Sequence, residues 1–156
     1  MRSGARLGVD AGKARVGVAV CDPDGLVATP VITLSRGEST VSELCALVEE
    51  YSVAEVIVGL PLSMRGDDTA STADARLLAG ELAASVDVPV RLVDERLTTV
   101  SAQRVLHQSG RTVKGSRHVI DQVAAVIILQ NALDFERSAG RPPGTVVDPR
   151  QGPTSS

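Results

Sequence analysis

Three acidic residues stand where a carboxylate is costly unless something positive meets it. Asp10 closes the apolar run LGVD, Glu95 follows another in RLVDE, and Asp121 lies inside the largely apolar segment HVIDQVAAVIIL. An ionised carboxylate beside a buried apolar run must be paired, neutralised or bound to a cation. Taken singly, each has an ordinary explanation: a turn aspartate, a salt-bridged glutamate, an acid favoured by the positive end of a helix. Taken together they define a chemistry, because three oxygen donors with no Cys or His in the pattern select magnesium or manganese over zinc. Such a set can hold two ions roughly 4 Å apart, one activating water and the other stabilising the leaving oxygen of a phosphodiester.

The distribution of positive charge agrees with that chemistry. The formal net charge is -3, yet no Asp or Glu occurs from Arg96 to Ile120, where Arg96, Arg104, Arg111, Lys114 and Arg117 fall with both histidines, His107 and His118. A sign asymmetry confined to one segment says more than the total. It reads either as a solvated helix and loop or as a surface for phosphate. Lys13 and Arg15, in the loop after Asp10, stand where they could meet the same phosphate. Asp94, next to Glu95, should point to the opposite side of its strand, where the turn or Arg96 would occupy it.

The elements that must position these groups follow from periodicity. Alternation in Arg6 to Asp10 and the Val/Ala-rich block Gly17 to Cys21 predict two strands joined by the turn Ala11 to Val16, and a third strand is expected at Val27 to Leu34. A helix capped by Ser39 or Thr40 should run to about Tyr51, with Val41, Leu44, Cys45 and Val48 as its buried stripe. The nearly all-apolar run Glu55 to Gly59 suits a central parallel strand covered on both faces. A second helix is expected over Ala70 to Val86 with Leu77, Leu78 and Leu82 inward, and another strand over Val88 to Asp94. A third helix should span Thr98 or Thr99 to about Ser109, and a last one about His118 to Arg137, with Asp121 in its first turn. The order predicts an α/β fold, a mixed five-stranded sheet with helices on both faces. Such sheets place their sites at the carboxyl ends of strands, where Asp10 and Glu95 stand.

At 156 residues the chain fits one domain, expected over residues 1–137, and the Pro/Gly/Ser-rich stretch 138–156 reads as a disordered C-terminal tail. No apolar run approaches the roughly 20 residues that span a bilayer. Met1 to Arg6 lacks the pattern of a secretory signal, so a cytoplasmic location and no membrane partner are expected. Cys21 and Cys45 have neither CxxC spacing nor a nearby histidine. They read as buried or half-buried thiols, with an intermolecular disulfide through Cys21 left open.

Four stretches carry a family resemblance: LGVDAGKARVGVAV (Leu7 to Val20), EVIVGLPLSMRG (Glu55 to Gly66), VDERLTT (Val93 to Thr99) and HVIDQVAAVIIL (His118 to Leu129). They resemble the YqgF/RuvX family and sample nearly the whole of residues 6 to 134. The combination of GLPL, DERLT and the late IDxxAA pattern is specific where any one alone is weak. The family is similar in fold to ribonuclease H and the RuvC junction resolvases, which implies a ribonuclease H-like fold here. It is described as a Holliday junction resolvase and as the nuclease that matures the end of the small-subunit ribosomal RNA precursor. By position, the resemblance implies that Asp10, Glu95 and Asp121 are the metal-binding catalytic carboxylates, with Mg2+ or Mn2+ as cofactor.

Three other functions remain in contention. DAGKARVG (Asp10 to Gly17) also matches the DxGxxxxG phosphate loop of actin-like ATPases and sugar kinases, but their nucleotide lies between two lobes and this length supplies one. A non-catalytic nucleic-acid-binding factor in transcription would need the basic strip without all three acids. Cleavage of branched DNA in recombination and repair competes with processing of precursor ribosomal RNA, and a junction resolvase making two symmetric cuts would act as a homodimer. Tyr51 and Phe135 are the only aromatic residues. Base stacking therefore contributes little, and recognition should rest on backbone and shape.

Overall fold

A computed structural model describes residues 4–62, 65–95 and 117–147, with the backbone alone for 117–121. Within them the strands are β1 (Arg6–Ala11), β2 (Arg15–Cys21), β3 (Ala28–Ser35), β4 (Glu55–Leu60), β5 (Val90–Asp94) and β6 (Thr145–Val146), and the helices are α1 (Thr40–Glu50), α2 (Ala70–Ala83) and α3 (Arg117–Ala139). The expected helix over Thr98 or Thr99 to Ser109 lies outside the described residues, as does the basic strip from Arg96 to Lys114.

The sheet order is β3-β2-β1-β4-β5-β6. β1, β4 and β5 run parallel, while β2 and β3 form an antiparallel meander on one side and β6 returns antiparallel on the other. β4 is buried along all six residues, which is why its sequence is apolar without alternation. Alternation along the other strands sorts two cores. Leu7, Val9, Val16, Val18, Val56, Val58 and Val90 pack with Leu44 and Val48 of α1 and Leu78 and Leu82 of α2. Ala19, Cys21, Ile57 and Val93 face the other way, against Ala125, Val126, Ile128, Leu129, Ala132 and Leu133 of α3.

A buried ion network closes the far end of the α3 layer. Arg6 and Glu55 are 2% and 1% exposed, and Glu136 of α3 is 3% exposed, so none can rely on water to offset its charge. The Arg6 guanidinium lies 3.9 Å from Glu55 and 3.5 Å from Glu136, and Arg91 donates to Glu55 at 2.7 Å. The network pins the C-terminal half of α3 to β1, β4 and β5.

Several expectations need correction. The sheet has six strands where five were expected, because residues 140–147 do not behave as a tail. Val147 donates to Val90 O, Pro143 O accepts from Arg91, and Thr145–Val146 pair with Leu92 and Arg91. Unpaired backbone groups on the β5 edge offset the Pro/Gly-rich composition that argued for disorder. Leu77 is 42% exposed while Leu78 and Leu82 are buried. Ser39 is the N-cap of α1 without a side-chain cap bond, its hydroxyl donating to Glu43 instead. Thr40 Oγ1 instead accepts from Gly37 N and donates to Ser35 O, securing the turn before the helix. α3 begins at Arg117, which places Asp121 in the second turn and leaves no acid in the first. Both cysteines are free, and Cys21 is buried, its sulfur accepting from Arg6 N, so it offers no surface for an intermolecular disulfide. Among the described residues no helix is long and apolar enough to cross a membrane.

Candidate active site

Strand alternation decides which acids can meet. On β1, Leu7 and Val9 face α1 and α2, so Gly8 and Asp10 face α3. On β4, Ile57 and Gly59 face α3, and beyond β5 Glu95 follows Val93 onto the same side. Asp94 alternates to the opposite face, as its position predicts.

The approach of α3 depends on glycines. A Cβ on Gly8 would stand 2.7 Å from Leu129 Cβ and 3.1 Å from Ala125 O. Residues 121, 125 and 129 form one stripe of a helix, four residues and about 6 Å apart per step. Two strand residues advance about 6.6 Å. With Ala125 and Leu129 over Gly8 and Glu136 beside Arg6, the helix runs antiparallel to β1, so its N-terminal turns, which hold Asp121, lie toward the end of β1 that carries Asp10. At Gly59 a Cβ would stand 2.5 Å from Ile128 Cδ1 and 3.0 Å from both Cγ and Oε2 of Glu95. The missing side chain is the space that Glu95 occupies. The Glu95 amide donates to Leu60 O at 3.1 Å, so the chain leaves β5 still tied to the end of β4.

The electrostatics follow from this crowding. Burial, then the charge of Asp10 and that of Asp94, push the Glu95 carboxyl up from 4.5 to about 7. Full ionisation of both groups thus carries a cost that a cation would relieve. Among the described residues no three His, Cys, Asp or Glu side chains form a group that could hold a metal ion. Asp10 and Glu95 are both half-buried at strand ends.

The remaining expected residues sort as follows. Lys13 is exposed and Arg15 half-buried, both in or beside the turn between β1 and β2. Arg117 opens α3. Arg96, Arg104, Arg111 and Lys114 lie outside the described residues. Sequence reasoning missed Gly8 and Gly59, although a lone glycine in an otherwise apolar strand signals close approach by another element. It also missed the Arg6, Glu55, Arg91 and Glu136 network, whose members are separated by up to 130 residues along the chain.

The family model described as RuvX, Holliday junction resolvase, matches residues 4–135. A protein of Clavibacter michiganensis subsp. michiganensis, named provisionally as a pre-16S rRNA nuclease, is 56% identical over 150 residues, covering 94% of this chain and 93% of its own. Proteins so named in Leifsonia xyli subsp. xyli and Streptomyces coelicolor are 52% and 53% identical, covering 98% and 95% of this chain and 100% and 90% of their own. In structure the chain is similar to Thermus thermophilus RuvC, with a TM-score of 0.63 at 12% identity, covering 92% of this chain and 99% of that one. RuvC of the same organism in complex with a Holliday junction substrate gives the same TM-score at 14% identity. At such identities the likeness is one of fold, and it bears out the expected ribonuclease H-like architecture.

Proposed function

This chain belongs to the RuvX family, and from that premise we propose that it is a divalent-metal-dependent nuclease that hydrolyses phosphodiester bonds of structured RNA, processing the 5′ end of the pre-16S rRNA in the cytoplasm. The substrate follows the names of relatives at 52–56% identity over nearly the full chain. The observation that carries the chemistry is the convergence of Asp10 and Glu95 on the α3 face, with Gly59 leaving room for the second carboxylate. Asp121, in the N-terminal part of α3, is the third member of the set.

The donor set fits Mg2+ or Mn2+: hard carboxylates, with Glu95 raised in pKa by burial and by the charges of Asp10 and Asp94, and no thiolate or imidazole among them. Bound ions would neutralise that repulsion, lower the pKa of water and stabilise the charge that develops on the phosphate oxygens. The chain's own residues supply the frame. β1 and β5 fix Asp10 and Glu95 at the ends of paired strands, and α3, anchored through Glu136, holds the helix turn of Asp121 over the sheet. Lys13 and the basic strip Arg96, Arg104, Arg111, Lys114 and Arg117 meet the nucleic-acid backbone, which makes binding weaken as salt rises.

The test is incubation with Mg2+ or Mn2+ of a precursor ribosomal RNA fragment and, separately, of a four-way DNA junction, beside an Asp10→Asn variant. Metal-dependent RNA cleavage by the wild type, with Asp10→Asn binding RNA but not turning it over, is the expected result. Paired symmetric nicks in the junction without RNA cleavage would favour the DNA resolvase that the family's description names, acting as a homodimer. No metal-dependent cleavage of either substrate would sink the nuclease reading.

A further inference from the structure

The turn between β1 and β2 is held by a group outside the acid set. Arg36, directly after β3, donates from Nη1 to Gly12 O at 2.9 Å and to Asp74 Oδ2 at 2.8 Å, and from Nη2 to Asp74 Oδ1 at 3.0 Å. Its amide donates to Ala14 O at 2.9 Å, and Gly12 N donates to Arg15 O at 3.0 Å within the turn. A Cβ at Gly12 would stand 2.5 Å from Arg15 O, so the turn closes only around glycine. The Arg36 and Asp74 side chains are 16% and 25% exposed, which shields the paired forks from much of the solvent screening an exposed pair suffers.

Asp74 is itself fixed. It belongs to α2, whose N-terminus is locked by reciprocal bonds between Thr69 and Thr72, and the Thr72 hydroxyl donates to Pro61 O just past β4. A continuous set of bonds therefore runs from the carboxyl end of β4 through Asp74 and Arg36 to the carbonyl of Gly12. The sheet ladder does a different job, since Asp10 pairs with Gly17 and Ala11 with Val16, where the ladder ends. The ladder fixes Asp10, and Arg36 fixes the turn that presents Lys13.

We propose that Arg36, braced by Asp74, is a positioning residue that sets the β1–β2 turn and thereby the grip of Lys13 on a nucleic-acid phosphate beside Asp10. The proposal rests on the nuclease reading above. Its signature is a split: loosening the turn weakens substrate binding while leaving the acids on their strands.

The experiment measures kcat and KM on the precursor RNA fragment for wild type, Arg36→Ala, Arg36→Lys, Asp74→Asn, Lys13→Ala and the Lys13→Ala/Arg36→Ala pair, with amide hydrogen exchange at Gly12. Arg36→Ala should raise KM about 5- to 20-fold with kcat within about twofold, and lower the salt dependence of binding by about one phosphate contact. Exchange at Gly12 should quicken at least about tenfold, since the bonds that close the turn are released. Arg36→Lys should fall between the two, because an ammonium cannot span Gly12 O and both Asp74 oxygens at once. Arg36→Ala should add less than about twofold in KM once Lys13 is already Ala, because residues acting through one contact are not additive. Asp74→Asn keeps the Arg36 charge but loosens it and should raise KM. A fall in KM there would mean that Arg36 grips phosphate itself and would overturn the positioning role. So would a wild-type KM in Arg36→Ala, or a loss confined to kcat. A wild type that neither binds nor cleaves RNA would instead defeat the nuclease reading on which the proposal stands.

Discussion

Replacing Glu95 by Gln should make the metal-free protein more stable at alkaline pH while removing its activity. The Glu95 carboxyl is raised from 4.5 to about 7 by burial and by the charges of Asp10 and Asp94. A group whose folded pKa exceeds its unfolded value contributes stability that is fully present below the unfolded pKa and is lost as pH rises through the folded one. For Glu95 the loss runs from about pH 4.5 to about pH 7. A rise of that size corresponds to roughly 3 kcal/mol at full strength. The carboxylate is only half-buried, so solvent screening reduces this to about 1–2 kcal/mol. Gln keeps the shape without the charge, so at pH 8 in a chelator the variant should melt about 3–6 °C above wild type. At pH 4.5 the two should coincide. Thermal unfolding followed by circular dichroism at both pH values reads the difference between the proteins, in which the titration of every carboxylate not coupled to Glu95 cancels. Added Mn2+ should raise the melting temperature of wild type at pH 8 far more than that of the variant. Equal melting temperatures at pH 8 in chelator, or a less stable variant, would refute the carboxylate crowding from which the metal site is argued.

Other perturbations follow from the same geometry. Gly59→Ala places a methyl against Ile128 Cδ1 and Glu95; Ile128 can swing, so urea denaturation should show a cost of only about 1–2 kcal/mol while kcat falls at least about tenfold through displacement of Glu95. A stability loss without a kcat effect would separate Gly59 from the site. Glu55→Gln leaves Arg6 buried beside one fewer charge and should cost about 3 kcal/mol or more in urea unfolding, whereas a cost under about 1 kcal/mol would show that the network does not hold α3. Ending the chain after Val147 should leave the melting temperature unchanged, but ending it after Ala139 removes β6 and should lower it by about 3 °C or more. Equal melting temperatures for the two truncations would contradict the pairing of β6 with β5.

Much of this protein was determined by local sequence. Short apolar runs with turn signals at their ends make β1 and β4, alternation assigns inward and outward faces, and the position of an acid after an apolar run marks Asp10 and Glu95 as strand-end groups. The same alternation separates Asp94 from Glu95, because neighbouring residues of a strand cannot share a face. Tertiary structure decided what depends on groups distant in the chain. Only the packing of α3 over Gly8 turns its N-terminal end toward the Asp10 end of β1, and only the missing side chain of Gly59 makes the space that Glu95 fills. Only the open edge of β5 gives a Pro/Gly-rich stretch the backbone partners that turn it into β6. The Arg6, Glu55 and Glu136 network and the Arg36 to Asp74 brace join residues 38 to 130 positions apart. Periodicity reports the environment along one element, whereas a buried charge is defined by the partner that folding delivers to it. The acids were therefore legible one at a time, and it was the fold that set Asp10 beside Glu95.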